Sequence, residues 1–196
     1  MQPPAADPRL RISASAFLWL ALLLLVLPLP WIVAAMFAAT VHELCHLLTI
    51  HMCGGNFRAV HIGSSGALIR TAHLTLRQEL FCTLAGPLGG ILLLLFARWL
   101  PRVAVCAAFQ SAFNLLPIYP LDGGRSLRCV LSRFSPAVAE RVCSRVSQFC
   151  CVLLIVIGIW AAVSNLGATP LFLAMIVCLK AHRRKIPCKE NVSAVQ

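Results

Sequence analysis

Long apolar runs, separated by short groups of basic and turn-forming residues, dominate this chain. Between Ile12 and Val41 there is no charged residue, and such a stretch exceeds the ~20 residues that one membrane helix needs. Pro28 and Pro30 divide it, because proline interrupts a helix. The whole pattern predicts about six membrane-spanning helices, at residues 12–27, 31–51, 80–97, 103–121, 146–163 and 166–180. A cleaved signal peptide is the alternative interpretation of the first run, and incomplete crossing is the alternative for the short last one.

The segment between the second and third predicted spans has a different character. Two short runs, 57–62 and 67–70, flank the sequence Gly63-Ser64-Ser65-Gly66. Runs of this kind around a Gly/Ser turn predict a short β-hairpin, with an ordinary loop as the alternative. The expected fold class is therefore an all-α polytopic membrane protein with one β-hairpin between spans 2 and 3. We expect residues 1–196 to form a single domain.

Composition and charge narrow the class of protein. Hydrophobic residues make up 60% of the chain and charged residues 12%, which excludes a water-soluble globule and a disordered chain. If the N-terminus is inside, the predicted inner segments hold every Lys and Arg except Arg98 and Arg102. The positive-inside rule then predicts that both termini are cytoplasmic. The net charge of +11 is thus explained by topology, and no nucleic-acid partner is expected.

The strongest chemical signal lies inside the second predicted span. His42 and His46 are one helical turn apart on the same face and can bind one zinc ion, while Glu43 lies beside that face. Zinc lowers the pKa of a bound water to ~7, and a carboxylate can then accept its proton. Ionisable groups are costly in an apolar span and indicate function. The alternative is a purely structural cluster of satisfied polar groups.

A catalytic zinc usually has three protein ligands, so a third is needed. Asp122 is favoured because Pro117 and Pro120 break the helix before it, and Gly123 and Gly124 after it permit close backbone approach. The alternative is that Asp122 caps a cytoplasmic helix or pairs with a nearby arginine. The other candidates for the third ligand are Glu79, Glu140, His51, His61, His73 and the cysteines.

Three motifs together resemble the site-2 protease family of intramembrane zinc metalloproteases. They are the HELCH run at 42–46, Leu84-Ala85-Gly86-Pro87, and the Asn114, Pro117, Asp122-Gly123 pattern. The six-span layout is most similar to the branch of stage IV sporulation protein FB. Many relatives carry an asparagine shortly after the Gly-Pro pair, where this chain has Leu88-Gly89-Gly90. Gly86, Gly89 and Gly90 are interpreted as small residues for close helix packing.

The resemblance implies a set of roles. One zinc ion per chain is bound by His42, His46 and Asp122, and Glu43 is the catalytic base. Asn114 and Pro117 lie in the motif that holds the substrate near the metal. The implied substrate is a membrane-associated regulatory protein of the pro-sigma or anti-sigma type, in the bacterial cytoplasmic membrane and in sporulation. No PDZ or CBS domain is expected after the last span, so substrate selection and regulation are expected to depend on the spans, the loops or a regulatory membrane partner.

The peptide substrate imposes a further requirement. A helical peptide bond is shielded, so the substrate must become extended, and its backbone then needs hydrogen-bond partners within the membrane. The predicted strands follow the zinc-binding helix directly. One of them is expected to present a free edge to which the substrate adds as a strand, and Val60 and Leu68 are the expected positions of contact.

Two functions other than proteolysis fit part of this pattern. A zinc transporter also places His and Glu in spans, but it needs polar residues through several spans, and spans 1, 5 and 6 contain few. A non-catalytic membrane scaffold would be indicated by loss of Glu43 or of a ligand, and all of these residues are present.

Overall fold

The structure, a computed structural model, describes residues 9–12, 27–54, 56–63, 66–72, 74–164 and 169–183. The helices are α1 Leu29–Met52, α2 Leu76–Leu92, α3 Pro101–Asn114, α4 Asp122–Leu131, α5 Pro136–Val163 and α6 Thr169–Arg183, and a 3-10 turn at Leu93–Phe96 extends α2. The strands are β1 Arg9–Ile12, β2 Asn56–Gly63 and β3 Gly66–Ala72. The chain divides into two compact units, Met1–Phe113 and Asn114–Gln196.

Three of the described helices are long and apolar enough to cross a membrane: Leu29–Met52, Leu76–Phe96 and Pro136–Val163. They contain, almost completely, the predicted spans 31–51, 80–97 and 146–163. Their large apolar side chains point outward, as at Phe81 and Leu88, whereas small residues such as Gly86 and Gly89 are buried. This arrangement is typical of helices whose outer surface faces lipid and whose contacts use small residues. The protein is therefore a mostly helical membrane protein.

The remaining predicted spans differ from the observed helices. The interior of the first, 12–27, lies outside the described residues. The fourth was predicted to run to residue 121, but α3 ends at Asn114 and the chain is non-helical up to Leu121. The cause is Pro117 and Pro120, which lack the N–H that a continuing helix needs. The sixth corresponds to α6, whose 15 residues extend over only ~22 Å.

Helix α5 begins where proline favours a helix start. Ser135 has extended backbone angles and occupies the N-cap position, and Pro136 follows as the first helical residue. Proline suits this position because its missing N–H would have no partner within the helix. The helix then continues without interruption to Val163.

The strands form one small sheet in the first unit, in the order β1-β2-β3. β2 pairs with β3 in antiparallel fashion, with His61 opposite Leu68, and with β1 in parallel fashion, with Leu10 opposite Val60. β2 is therefore the central strand. β1, which the sequence pattern did not predict, pairs with β2 on the side away from β3, so β2, which carries Val60, is not the strand with a free edge. Among the residues that the structure describes, no strand pairs with the other side of β3.

Candidate metal centre

Two of the three histidines of α1, His42 and His46, form the core of the candidate site. His42 and His46 are buried, with 2% and 8% of their surfaces exposed. Leu44, which lies between them in sequence, is on the exposed face of the same helix. Their Nε2 atoms are 3.2 Å apart, and their rings meet edge to face. The same-face arrangement predicted from the spacing is present, and it brings the two Nε2 atoms close together.

A backbone carbonyl fixes the orientation of His46. Its Nδ1 lies 2.6 Å from the carbonyl oxygen of Cys82 on α2. A carbonyl only accepts, so Nδ1 carries the proton and, in the neutral ring, Nε2 keeps its lone pair. This pattern, in which one ring nitrogen donates to the protein and the other is left for a metal, is usual for metal-binding histidines. The side chains present therefore fit a zinc ion.

Helix α2 makes room for the histidines by lacking side chains where it passes them. A Cβ atom on Gly86 would collide with the imidazole of His46 and also contact that of His42. One turn further along, a Cβ on Gly89 would collide with Cys45. The interpretation of these glycines as close-packing residues is confirmed. In addition, Gly86 touches the candidate ligands themselves, which the packing interpretation did not anticipate.

Glu43 follows His42 directly and is half-buried. A helix turns by about 100° per residue, so its carboxylate starts beside the face that carries the histidines. The structure leaves its role as catalytic base a prediction.

Asp122 belongs to the second unit and is 9% exposed. It is the first residue of α4, while Leu121 occupies the N-cap position and makes no side-chain cap. The alternative in which Asp122 serves as the cap residue is therefore wrong. Its carboxylate lies in the first turn of the helix, where the helix dipole favours a negative charge.

The loop before Asp122 is held by backbone and by one serine. Ser147 on α5 accepts a hydrogen bond from the Tyr119 amide at 3.0 Å and lies 3.4 Å from the Pro117 carbonyl. The Leu121 amide donates to Ile118 at 2.8 Å. Sequence reasoning missed Ser147, whose only signal was a hydroxyl within the long run of α5.

Two glycines seat α4 against this loop. A Cβ on Gly123 would collide with the backbone of Leu115, and one on Gly124 would collide with the backbone of Ile118 and Tyr119. The close backbone approach expected at this pair is therefore present, and it fixes where the helix that begins with Asp122 starts.

The other predicted site residues are distributed over several elements. Asn114 is the last residue of α3 and is half-buried, like Pro117 in the following loop. Leu68 lies on the edge strand β3.

The alternative third ligands lie on separate elements. Glu79 is in the first turn of α2 and His51 in the last turn of α1, Glu140 is in α5 and His61 in β2, and His73 lies outside the described residues. The described cysteines form no disulfide with one another.

Comparison with known proteins finds similarity in sequence and in structure. The chain is 30% identical over 173 residues to stage IV sporulation protein FB of Bacillus subtilis (strain 168), a match that covers 79% of this chain and 58% of that protein. This chain thus spans somewhat more than half the length of that relative. Its structure is similar to that of the site-2 protease from Methanocaldococcus jannaschii, with a TM-score of 0.69, 17% identity and 93% of each chain covered, which is a likeness of fold. No family model matches the chain.

Proposed function

We propose that the chain, which is 30% identical to stage IV sporulation protein FB and has the fold of a site-2 protease, is an intramembrane zinc metalloprotease of the site-2 protease family. The observation that carries the proposal is the buried histidine pair. Its Nε2 atoms are 3.2 Å apart, and the ring of His46 is held by a carbonyl. Two imidazoles buried in an apolar helix are costly, and a shared cation accounts for their mutual orientation.

We propose that His42, His46 and Asp122 bind one zinc ion per chain. All three are buried and are of the types that bind this metal. A bound zinc would supply Lewis acidity and lower the pKa of a coordinated water. The role of Asp122 is supported by its burial at a fixed helix start and by its position in the third motif of the family.

The chain's own residues then carry the proton transfers. Glu43 is proposed to accept a proton from the attacking water and to deliver it to the leaving amine, as a general base and acid. Asn114 and Pro117 are proposed to hold the substrate backbone. Their location at the end of α3 and in the loop before Asp122 supports this role.

The substrate is proposed to add as a strand to β3. This strand has seven residues, and among the described residues its outer side carries no partner strand. In a strand, successive N–H groups point to opposite sides. Either Leu68 or Ile69 therefore directs its N–H outward, and the other directs it toward β2.

A pair of prolines tests strand addition. Proline removes one N–H and is tolerated only at an edge, so Leu68→Pro and Ile69→Pro should differ. The variant that removes the outward N–H should lose cleavage while the protein keeps its fold and zinc. The variant that removes the inward N–H should destabilise the hairpin. Wild-type cleavage by both variants would contradict strand addition at β3.

The substrate is proposed to be a membrane-associated regulator of the pro-sigma or anti-sigma type, and the process sporulation. The name of the similar Bacillus subtilis protein supports the process. Co-expression with one substrate of each type, followed by immunoblotting for the cleaved product, distinguishes the two classes.

The enzyme is proposed to lie in the bacterial cytoplasmic membrane with both termini cytoplasmic and with six crossings. The distribution of Lys and Arg supports this topology. Reporter fusions after Arg98 and Arg141 should report outside and inside, respectively. A fusion at Lys185 that reports outside would contradict the proposed crossing of the last span.

The function itself is tested with the purified protein in lipid vesicles. A chelator should abolish cleavage of a co-reconstituted membrane peptide, and added zinc should restore it. His46→Ala should lose both zinc and cleavage, while His51→Ala, an exposed histidine on the same helix, should keep both. Cleavage that persists without zinc would contradict a metalloprotease, and zinc flux across the vesicle without cleavage would identify a transporter.

A further inference from the structure

The outward face of α5 changes character along its length. Residues three or four apart lie on one face of a helix, and one such stripe is exposed throughout. We call it the α5 stripe, and its members are Val138, Arg141, Arg145, Phe149, Val152 and Val156. The opposite face packs inward through residues such as Ala139, Cys143 and Ser147. The stripe is therefore basic in its first turns and apolar afterwards.

The length of α5 sets the depth of the two arginines. Residues 146–163 contain no charge, and 18 helical residues extend over ~27 Å, close to the ~30 Å hydrocarbon core of a bilayer. Arg145 is thus the first charged residue at the membrane boundary, and Arg141 lies one turn beyond it. Phe149 and Val152, at 70% and 61% exposure, lie on the hydrocarbon side of that boundary.

The basic part of the stripe forms a shallow cleft. Its volume is about 180 Å³, and its lining residues are Val138, Arg141, Val142 and Arg145. The Nε of Arg141 donates to the Ala137 carbonyl at 3.3 Å, which lays the side chain along the helix while the terminal nitrogens remain as donors. The single acidic residue of α5, Glu140, lies about 160° around the helix from Val138.

We propose that the α5 stripe binds an anionic glycerophospholipid. Its phosphate lies on Arg141 and Arg145, and its acyl chains run along Phe149 and Val152. Guanidinium groups match phosphate oxygens in geometry and charge, and basic residues on the cytoplasmic side of membrane helices attract anionic lipids. The continuity of one stripe from arginine to exposed apolar residues favours a lipid over a free phosphate or an acidic peptide, because only the lipid matches both parts.

The test titrates the full-length protein, in a neutral detergent, with phosphatidylglycerol. The double variant R141A/R145A should bind it roughly 30-fold more weakly, from the contribution of two basic residues. The matched control R98A/R102A removes the same charge from other described residues and should bind like the wild type. Equal weakening in both double variants would overturn the proposal in favour of general charge attraction.

Three further probes separate the lipid from other occupants. Phosphatidylcholine should bind more weakly than phosphatidylglycerol, and glycerol phosphate, the headgroup alone, more weakly still. Phe149→Ala should weaken binding of the lipid and leave that of glycerol phosphate unchanged. Glycerol phosphate binding as tightly as the lipid would identify a phosphate site instead. Displacement of the lipid by an acidic peptide at lower concentration than by glycerol phosphate would identify a protein-binding surface, and either result would overturn the lipid assignment.

Discussion

Helix α1 carries His42 and His46 within 24 uninterrupted helical residues, whereas Asp122 follows seven residues, 115–121, that belong to no helix or strand. In the first region the helical repeat alone puts His42 and His46 on one face. In the second, individual backbone contacts fix the start of α4. Both regions bury a side chain of a type that can bind zinc. The first does so through regular structure and the second through irregular structure.

The glycines of the two regions also face different kinds of atoms. A Cβ on Gly86 would meet imidazole side chains, while a Cβ on Gly123 would meet the backbone of Leu115. An imidazole can rotate away from an added methyl group, although it then loses its orientation toward a metal. A backbone segment can make room only if the whole segment moves. We therefore expect substitutions in the first region to reduce metal binding, and those in the second to reduce stability.

The largest effect on stability is expected from Gly123→Ala. The added methyl group would overlap the Leu115 backbone, and overpacking of this kind costs up to about 3 kcal/mol. The expected result is a lower midpoint of thermal unfolding for both the zinc-loaded and the zinc-free protein. Val130→Ala, at an exposed position of the same helix, is the control and should change the midpoint less. A Gly123→Ala variant as stable as the wild type would show that the loop is not held by this contact.

Gly86→Ala should affect the metal more than the fold. Displacement of the His46 ring should weaken zinc binding roughly 10- to 100-fold, as for other changes in the residues that orient a metal ligand. Competition with a chromogenic chelator measures the affinity, and circular dichroism of the zinc-free protein measures the fold. Leu88→Ala, at an exposed position of α2, provides the control. Equal zinc affinity in Gly86→Ala and the wild type would contradict the expectation that substitutions in the first region act on metal binding.

Ser147→Ala is expected to have the smallest effect. It leaves the Tyr119 amide without the hydroxyl that accepts its hydrogen bond, at a cost of about 1–3 kcal/mol. Ser144→Ala, one turn earlier on α5, is the matched control. Chemical denaturation of both variants gives the difference in the free energy of unfolding, and a difference near zero would show that Ser147 does not stabilise the loop.

The sequence predicts the regular part of this protein better than the irregular part. Long apolar runs, bounded by charged residues or prolines, locate α1, α2 and α5, and the i, i+4 spacing places His42 and His46 on one face. An apolar run does not show how many residues before Pro117 and Pro120 the helix stops. The fourth span was therefore predicted to reach residue 121, whereas α3 ends at Asn114. β1 and β2 are about 50 residues apart in sequence. A pattern of neighbouring residues cannot predict a pairing over that distance.

The Cys82 carbonyl shows a second limit of sequence reasoning. It orients His46 through a hydrogen bond, yet every residue has a carbonyl, so no side-chain pattern marks this one. Gly86 and Pro87, by contrast, are visible as a motif. The structure explains the glycine of this motif: a side chain at Gly86 would collide with the imidazole of His46. The sequence alone does not show this contact.

The most direct test of the central claim compares wild type, Glu43→Gln and the control Glu140→Gln in cleavage of a membrane peptide, with zinc content measured on the same samples. Glu43→Gln keeps the volume of the side chain but removes the base. Loss of general base catalysis should slow cleavage by about 10²–10⁴-fold, with one zinc per chain retained. Glu140→Gln should cleave like the wild type. Cleavage by Glu43→Gln at the wild-type rate, with zinc bound, would contradict the proposed mechanism.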